Sequence, residues 1–198
     1  MHHIIEKVES SIEVKKSKFI CLLLPINDEK QIKDKINEVK KLYPGATHYC
    51  YGCSINGNYR SNDDGEPAST AGKPILQCLI NSELDNVLAV VVRYFGGTLL
   101  GTAGLVKAYQ QATIDAINQA KLATPTLVNN YKITVNYQDT NKIEYFLAKN
   151  GTIKLRDYQQ DAIYYFQCEN DICQQISELT NGSGQVKLLN SEIIEKVK

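Results

Sequence analysis

Tyr131-Lys-Ile-Thr-Val-Asn-Tyr137 places Tyr131, Ile133, Val135 and Tyr137 on one side of an extended chain and polar residues on the other. A period of two is the pattern of a half-buried strand. Toward the C-terminus, Asp139-Thr140 offers capping oxygens to a helix whose Ile143, Phe146 and Leu147 share one face, and Asn150-Gly151 stops it. Ile153–Tyr158 and the aromatic-rich Ala162–Cys168 read as two more strands. Asp171 and Gln174 have capping-box spacing and open a helix with Ile172, Ile176 and Leu179 on one face. That helix stops at Asn181-Gly182, and Val186–Leu189 gives the last strand. The order βαββαβ predicts a ferredoxin-like sandwich over residues 128–198, two helices on a four-stranded antiparallel sheet.

Toward the N-terminus, residues 121–128 contain Pro125 and show no clear period, so they predict a junction behind a first domain at 1–122. That domain reads as α+β. Extended stretches at Ile4–Val14 and Lys18–Ile26 precede a helix with a capping pair at Asp28 and Gln31, which should bury Ile32, Ile36, Val39 and Leu42. The helix must end before Tyr43-Pro44-Gly45. A strand at His48–Cys53, a hairpin around Asn56-Gly57-Asn58 and a turn-rich polar stretch from Ser61 to Gly72 follow. Pro74–Leu84 predicts a helix and Asn86–Phe95 a strongly buried strand. A glycine-rich turn then leads into a helix at about Gly101–Gln119.

Composition narrows the function. The 198 residues carry 22 Lys+Arg against 22 Asp+Glu, and neither half departs far from balance. Non-specific binding of duplex DNA needs a basic excess, which is missing. Apolar runs such as Val87–Val92 are far too short to span a membrane. The N-terminal Met-His-His-Ile-Ile-Glu-Lys does not resemble a secretory signal, so a cytoplasmic protein with reduced thiols is expected.

Two segments concentrate chemistry. Arg60-Ser-Asn-Asp-Asp-Gly-Glu-Pro-Ala-Ser-Thr-Ala-Gly-Lys-Pro74 sets Asp63, Asp64 and Glu66 beside Arg60 and Lys73, with Thr70 among small residues. It is either a binding loop on a rigid scaffold or a solvated turn. Arg93-Tyr-Phe-Gly-Gly97, continuing to Lys107, delivers Arg93 and Tyr94 to the end of a strand and turns at Gly96 and Gly97 into a helix N-terminus. Such a terminus suits an anion, here at the Gly96–Gly104 turn, although the glycines equally allow close packing. His48-Tyr-Cys50-Tyr-Gly-Cys53 is not expected to hold a metal, because alternation puts Cys50 and Cys53 on opposite faces. His48 is the sole histidine beyond the N-terminal pair, so any histidine-dependent chemistry runs through it. No catalytic residue, metal ligand or cofactor is assigned.

Together, Lys16-Ser-Lys-Phe19, His48-Tyr-Cys-Tyr51, Ser61-Asn-Asp-Asp-Gly-Glu-Pro67, Thr70-Ala-Gly-Lys-Pro74, Arg93-Tyr-Phe-Gly-Gly97, Gly101, Gly104-Leu105 and Ala108-Tyr109 resemble the IMPACT/YigZ family over roughly residues 14–120. The resemblance implies a first domain like domain 2 of ribosomal protein S5. It also implies a second domain similar to the ferredoxin-like C-terminal domain of elongation factor G. Eukaryotic members regulate translation through this domain and an RWD domain; no RWD-like segment is read in these residues, so that partner logic is not expected to transfer. Cys53 and Thr102-Ala103 depart from the family pattern.

The expectation is therefore a non-catalytic, translation-associated protein that binds RNA, the ribosome or a translation factor. Tyr131, Tyr137, Tyr164, Tyr165 and Phe166 are candidates for stacking on bases. The alternative is an enzyme for a phosphorylated or carboxylated small molecule, with Arg93 as clamp and Asp64 or Glu66 as base.

Overall fold

Six consecutive apolar residues, Val87–Val92, cannot belong to a half-buried strand: alternate side chains face opposite ways, so both sheet faces must be covered. In the computed structural model, which describes residues 1–197, all six are fully buried. The chain forms two compact units, Met1–Thr124 and Pro125–Lys196.

The first unit runs β1 (His3–Ile4), β2 (Val8–Val14), β3 (Ser17–Pro25), α1 (Gln31–Leu42), β4 (His48–Ile55), β5 (Asn58–Asn62), α2 (Gly72–Asn81), β6 (Val87–Tyr94) and α3 (Gly101–Gln119). Its main sheet has the order β2-β3-β6-β4-β5, with every neighbouring pair antiparallel. Val87, Ala89 and Val91 join the core that includes Ile75 and Leu79 of α2 and Leu105, Ala108 and Tyr109 of α3. Leu88, Val90 and Val92 face the opposite core, with Val39, Ile32 and Ile36 of α1. Each buried valine or leucine stabilises the sheet by about 1.5–3 kcal/mol. The same alternation separates Cys50 from Cys53, one in each core.

Local chemistry sets the element ends. Gln31 accepts from the amides of Asn27 and Asp28 at 3.0 and 3.3 Å, and Asp28 accepts from Lys30. Leu42 is 54% exposed rather than buried, because the face that packs on the sheet runs Ile32, Ile36, Val39 and on to Tyr43, and leaves Leu42 to the side. Asn56 and Gly57 both adopt positive φ, 49° and 75°, making the two-residue hairpin between Ile55 and Asn58.

The second unit continues with β7 (Leu122–Val135), a 3-10 turn at Tyr137–Asp139, α4 (Thr140–Asn150), β8 (Thr152–Tyr158), β9 (Ala162–Cys168), α5 (Cys173–Leu179) and β10 (Gln185–Val197). Its strands lie in the order β10-β7-β9-β8. Residues 121–128, expected to be an unpatterned junction, lie almost wholly in β7. Ala123 and Val128 are both buried but out of phase for strict alternation, which hides the strand from a period-two search. Leu122 and Ala123, the start of β7 that still belongs to the first unit, pair with β1 inside that unit, His3 opposite Ala123 and Ile4 opposite Leu122. Tyr131, Tyr164 and Phe166 form the core with Ile143, Leu147 and Ile176, so they cannot stack on a base. Tyr137 is half-exposed, and Tyr165 occupies the opposite sheet face from Tyr164.

The double burial of β6 predicts that Leu88→Ala destabilises the protein by about 2–5 kcal/mol in urea unfolding. Leu42→Ala should stay within about 0.5 kcal/mol of the parent.

Candidate functional site

The loop after β5 is built by its own carboxylates. Asp63 accepts hydrogen bonds from the amides of Ser69, Ala71 and Gly72 at 2.8, 3.0 and 2.8 Å, so it closes the loop and caps the start of α2. Partial burial raises its pKa, but the three amides and Lys73 outweigh that and hold it below the ordinary carboxylate value. Asp64 adopts a φ of 43°, and its carboxylate accepts from the Tyr49 amide at 2.7 Å. Thr70 donates its hydroxyl to the Pro67 carbonyl at 2.7 Å. These three sequence candidates shape the loop rather than face a ligand.

Glu66, one turn further on, is driven inward and is only 8% exposed. Its Oε1 accepts from Arg93 Nη1 and from the Tyr109 hydroxyl at 2.7 Å, and lies 3.9 Å from His48 Nε2. Arg93 comes from the end of β6 and is 5% exposed. Its guanidinium carbon sits 5.4 and 5.5 Å from the ring centroids of Phe19 and Phe95. Phe19 meets Tyr109 edge-on at 5.1 Å. Taking two ions out of water costs several kcal/mol each, and close pairing with added hydrogen bonds must offset that cost. Glu66 thus ties β6, α3 and the loop together.

His48 Nδ1 lies 2.8 Å from the Asp64 carbonyl. A carbonyl oxygen can only accept, so Nδ1 carries the proton and Nε2 is left facing Glu66. Cys50 Sγ is 3.0 Å from the Asp63 carbonyl and 3.3 Å from the Tyr109 hydroxyl. Burial first, and then the Glu66, Asp64 and Asp63 charges, push its pKa up to about 12. Burial likewise raises the Tyr109 phenol far above its usual value, reinforced by Cys50 and Glu66.

His48, Glu66 and Arg93 open on a cavity of about 410 Å³, which is also lined by Pro67, Phe95, Leu99, Gly101, Thr102 and Leu105. The first turn of α3 therefore borders it. The other candidates lie elsewhere. Arg60 pairs with Glu29 at 3.3 Å on the α1 side. The Tyr94 side chain turns to that same side and donates to the Pro44 carbonyl at 3.1 Å. Lys73 and Lys107 are exposed and outside the cavity lining. Gly96 donates its amide to Ser17 Oγ at 3.1 Å, and a Cβ there would overlap the Lys16–Ser17 backbone. Its glycine is needed for close approach, not as an anion cradle. Gly97, with φ of 82°, only turns the chain. Of the candidates expected to share a single mouth, only His48, Glu66 and Arg93 build it. Among the described residues, no cluster of His, Cys, Asp and Glu side chains is arranged to hold a metal ion.

Tyr109, Phe19, Phe95 and Leu99 were missed as site residues. Helical spacing was the available signal for one of them: Gly101, Leu105, Ala108 and Tyr109 share a face of α3.

The depressed Asp63 pKa implies stability that is fully present above about pH 4, the unfolded value, and lost as pH falls through the lower folded value. Asp63→Asn should therefore be less stable at neutral pH and lose less on acidification; parallel pH–stability curves for the two proteins would refute this.

Comparison with known proteins adds to this geometry. The model of the Impact N-terminal domain matches residues 15–117, spanning the loop, β6 and most of α3. The IMPACT family member YvyE of Bacillus subtilis (strain 168) is 33% identical over 199 residues, covering 96% of this chain and 92% of that protein. The IMPACT family member YigZ of Escherichia coli (strain K12) is 39% identical over 153 residues, covering 74% of this chain and 75% of YigZ. A solved crystal structure of a hypothetical protein is similar over 96% of this chain and 97% of its own, with TM-score 0.60 and 31% identity. With the domain model covering more than half its length and relatives matching along most of it, the chain belongs to the IMPACT family.

Proposed function

We propose that this chain is a non-catalytic binding protein of translation, acting in the cytoplasm on RNA, the ribosome or a translation factor. The observation that carries the binding reading is the closure of the Glu66 hub. Arg93, the strongest cation of the site, is already neutralised by Glu66, and the adjoining Cys50 thiol is pushed to about 12, where little thiolate exists at neutral pH. A site so arranged holds shape better than it supplies a nucleophile. Family membership supports the link to translation, since the resemblance implies that role for the eukaryotic members. We further read the first unit as similar to domain 2 of ribosomal protein S5 and the second as ferredoxin-like. The βαββαβ order and the strand order β10-β7-β9-β8 support the latter.

On the second unit, Lys132, Tyr165 and Leu155 form one cross-strand row on the sheet face away from its helices. Asp157 and Ile163 pair in a nearby row, so that face is not uniformly basic. It suits selective contact with an unpaired base on Tyr165 rather than bulk attraction to phosphates. A second reading, an enzyme for a phosphorylated or carboxylated small molecule, draws on the shared cavity of His48, Glu66 and Arg93. The Asp64 carboxylate, engaged by the Tyr49 amide, is not part of that cluster.

Sedimentation of the intact protein with ribosomes through a sucrose cushion tests the proposal. The protein should pellet with ribosomes at low salt and be released as salt rises, and Lys132→Glu/Tyr165→Ala should leave it in the supernatant. A parent protein that never pellets, or a double variant that pellets as well as the parent, contradicts it.

A further inference from the structure

We propose that the cleft between α1 and β5 in the first unit binds single-stranded RNA, with a base against Tyr51 and phosphates on Lys33, Lys40 and Arg60. The choice of RNA over DNA rests on the translational role proposed above; the site itself is separate from the Tyr165 face and from the His48 cavity. The cleft exists because the sheet is wider than the helix that covers it. α1 sets Ile32, Ile36, Val39 and Tyr43 on the sheet, while β5, at the sheet edge, is exposed along its whole length. Between them lies a cavity of about 500 Å³, in the range of small-ligand sites. Its floor is aromatic and apolar. Strand alternation puts Tyr49, Tyr51 and Cys53 on the α1 side of β4. Tyr51 is only partly buried, so aromatic surface is accessible at the bottom of the cleft, beside Ile32 and Ile36.

The rim is basic. Lys33, Asn37 and Lys40 follow i, i+4, i+7 spacing and stand on one flank of α1, with the two lysines about 10 Å apart along the axis. Arg60 faces them from β5, set on this side by its pairing with Cys53. These three cations meet one carboxylate in the cleft, Glu29, and Arg60 Nη2 holds it at 3.3 Å. Lys33 and Lys40 have no carboxylate partner among the described residues; Lys40 lies 5.3 Å from the Tyr49 ring centroid. Lys35, on the other flank, is paired with Glu38 at 3.0 Å. In a chain balanced at 22 and 22, this excess is local. An acidic polypeptide and a nucleic acid both carry the complementary charge, and the floor decides between them. Carboxylate side chains would meet the lysines and leave Tyr51 and the isoleucines uncovered. A nucleotide brings a planar face to stack on Tyr51 and a phosphate to reach the rim. The strand must be single, because a paired base stays in its stack and out of the cleft. Asn37 offers a donor and an acceptor to a base edge or a 2′-hydroxyl.

The test is fluorescence anisotropy of an end-labelled uridine oligonucleotide of about eight nucleotides. It is titrated with the full-length Lys132→Glu/Tyr165→Ala protein, in which the second-unit face is removed. The oligonucleotide should bind saturably, with log K falling linearly as log salt rises. Adding Lys33→Gln/Lys40→Gln, two exposed positions, should lower that slope by about 1.4, roughly 0.7 for each cation, and weaken binding at low salt by about tenfold or more. Lys35→Gln should change neither. Tyr51→Leu keeps apolar bulk in the floor and should weaken binding by about tenfold with the slope unchanged, while Tyr51→Phe should bind like the parent. Oligoglutamate, the matching duplex RNA and the matching DNA strand should each compete more weakly than the unlabelled RNA strand. No saturable binding, an unchanged slope in the lysine variant, Tyr51→Leu binding as well as Tyr51→Phe, or a competitor equal to the RNA strand would each overturn the assignment. A cleft for so few nucleotides releases its ligand during sedimentation, so the ribosome experiment reads the Tyr165 face, this titration reads the cleft, and each can fail alone.

Discussion

A carboxylate and a guanidinium, 27 residues apart in sequence, meet in the interior of the first unit. Everything around Glu66 and Arg93 follows from the need to make that burial tolerable. Tyr109 supplies a second donor to the same carboxylate oxygen, and the rings of Phe19 and Phe95 flank the guanidinium. Asp63 and Asp64 hold the loop in the conformation that turns Glu66 inward. Removing either charge would leave its partner stranded at low dielectric, a change of about 3–5 kcal/mol.

The pair also explains why β6 occupies the centre of its sheet. A strand covered on both faces is a stiff rod, and it ends where Arg93 must be held in place. Gly96 then lets the chain pass against Lys16–Ser17, which no residue with a Cβ could do. The turn delivers α3 with its first amides bordering the cavity and Tyr109 two turns behind. Rigidity, close approach and charge placement are therefore one design: the sheet fixes the arginine, the glycine fixes the helix, and the helix carries the phenol to the carboxylate.

Periodicity made much of this legible. The βαββαβ order emerged from alternation at Tyr131–Tyr137 and from helix faces such as Ile143, Phe146 and Leu147, because one-sided burial imprints a clear period. It failed at 121–128, where Ala123 and Val128 are buried out of phase, and at Leu42, where Tyr43 rather than Leu42 continues the buried face of α1. For the site, the motifs located both segments, yet charge alone could not separate inward from outward side chains. Asp63 and Glu66 look alike in sequence; one caps a helix and the other binds an arginine. Arg93 and Tyr94 are adjacent, and strand alternation sends them to opposite faces. Tyr109 stands among the motif residues but not among the site candidates, because a tyrosine on a helix is ordinarily core, and here it is core with its hydroxyl committed to a charge.

Glu66 engages one nitrogen of Arg93, and Nε lies buried without a partner among the described residues. If Glu66 is the keystone, its energetics must be inseparable from those of Arg93. A double-mutant cycle of Glu66→Ala and Arg93→Ala, read by urea unfolding, measures this directly. The two losses should fall short of additivity by about 2–3 kcal/mol, because the second deletion removes a charge already stranded by the first. Losses that add to within about 0.5 kcal/mol would contradict the account.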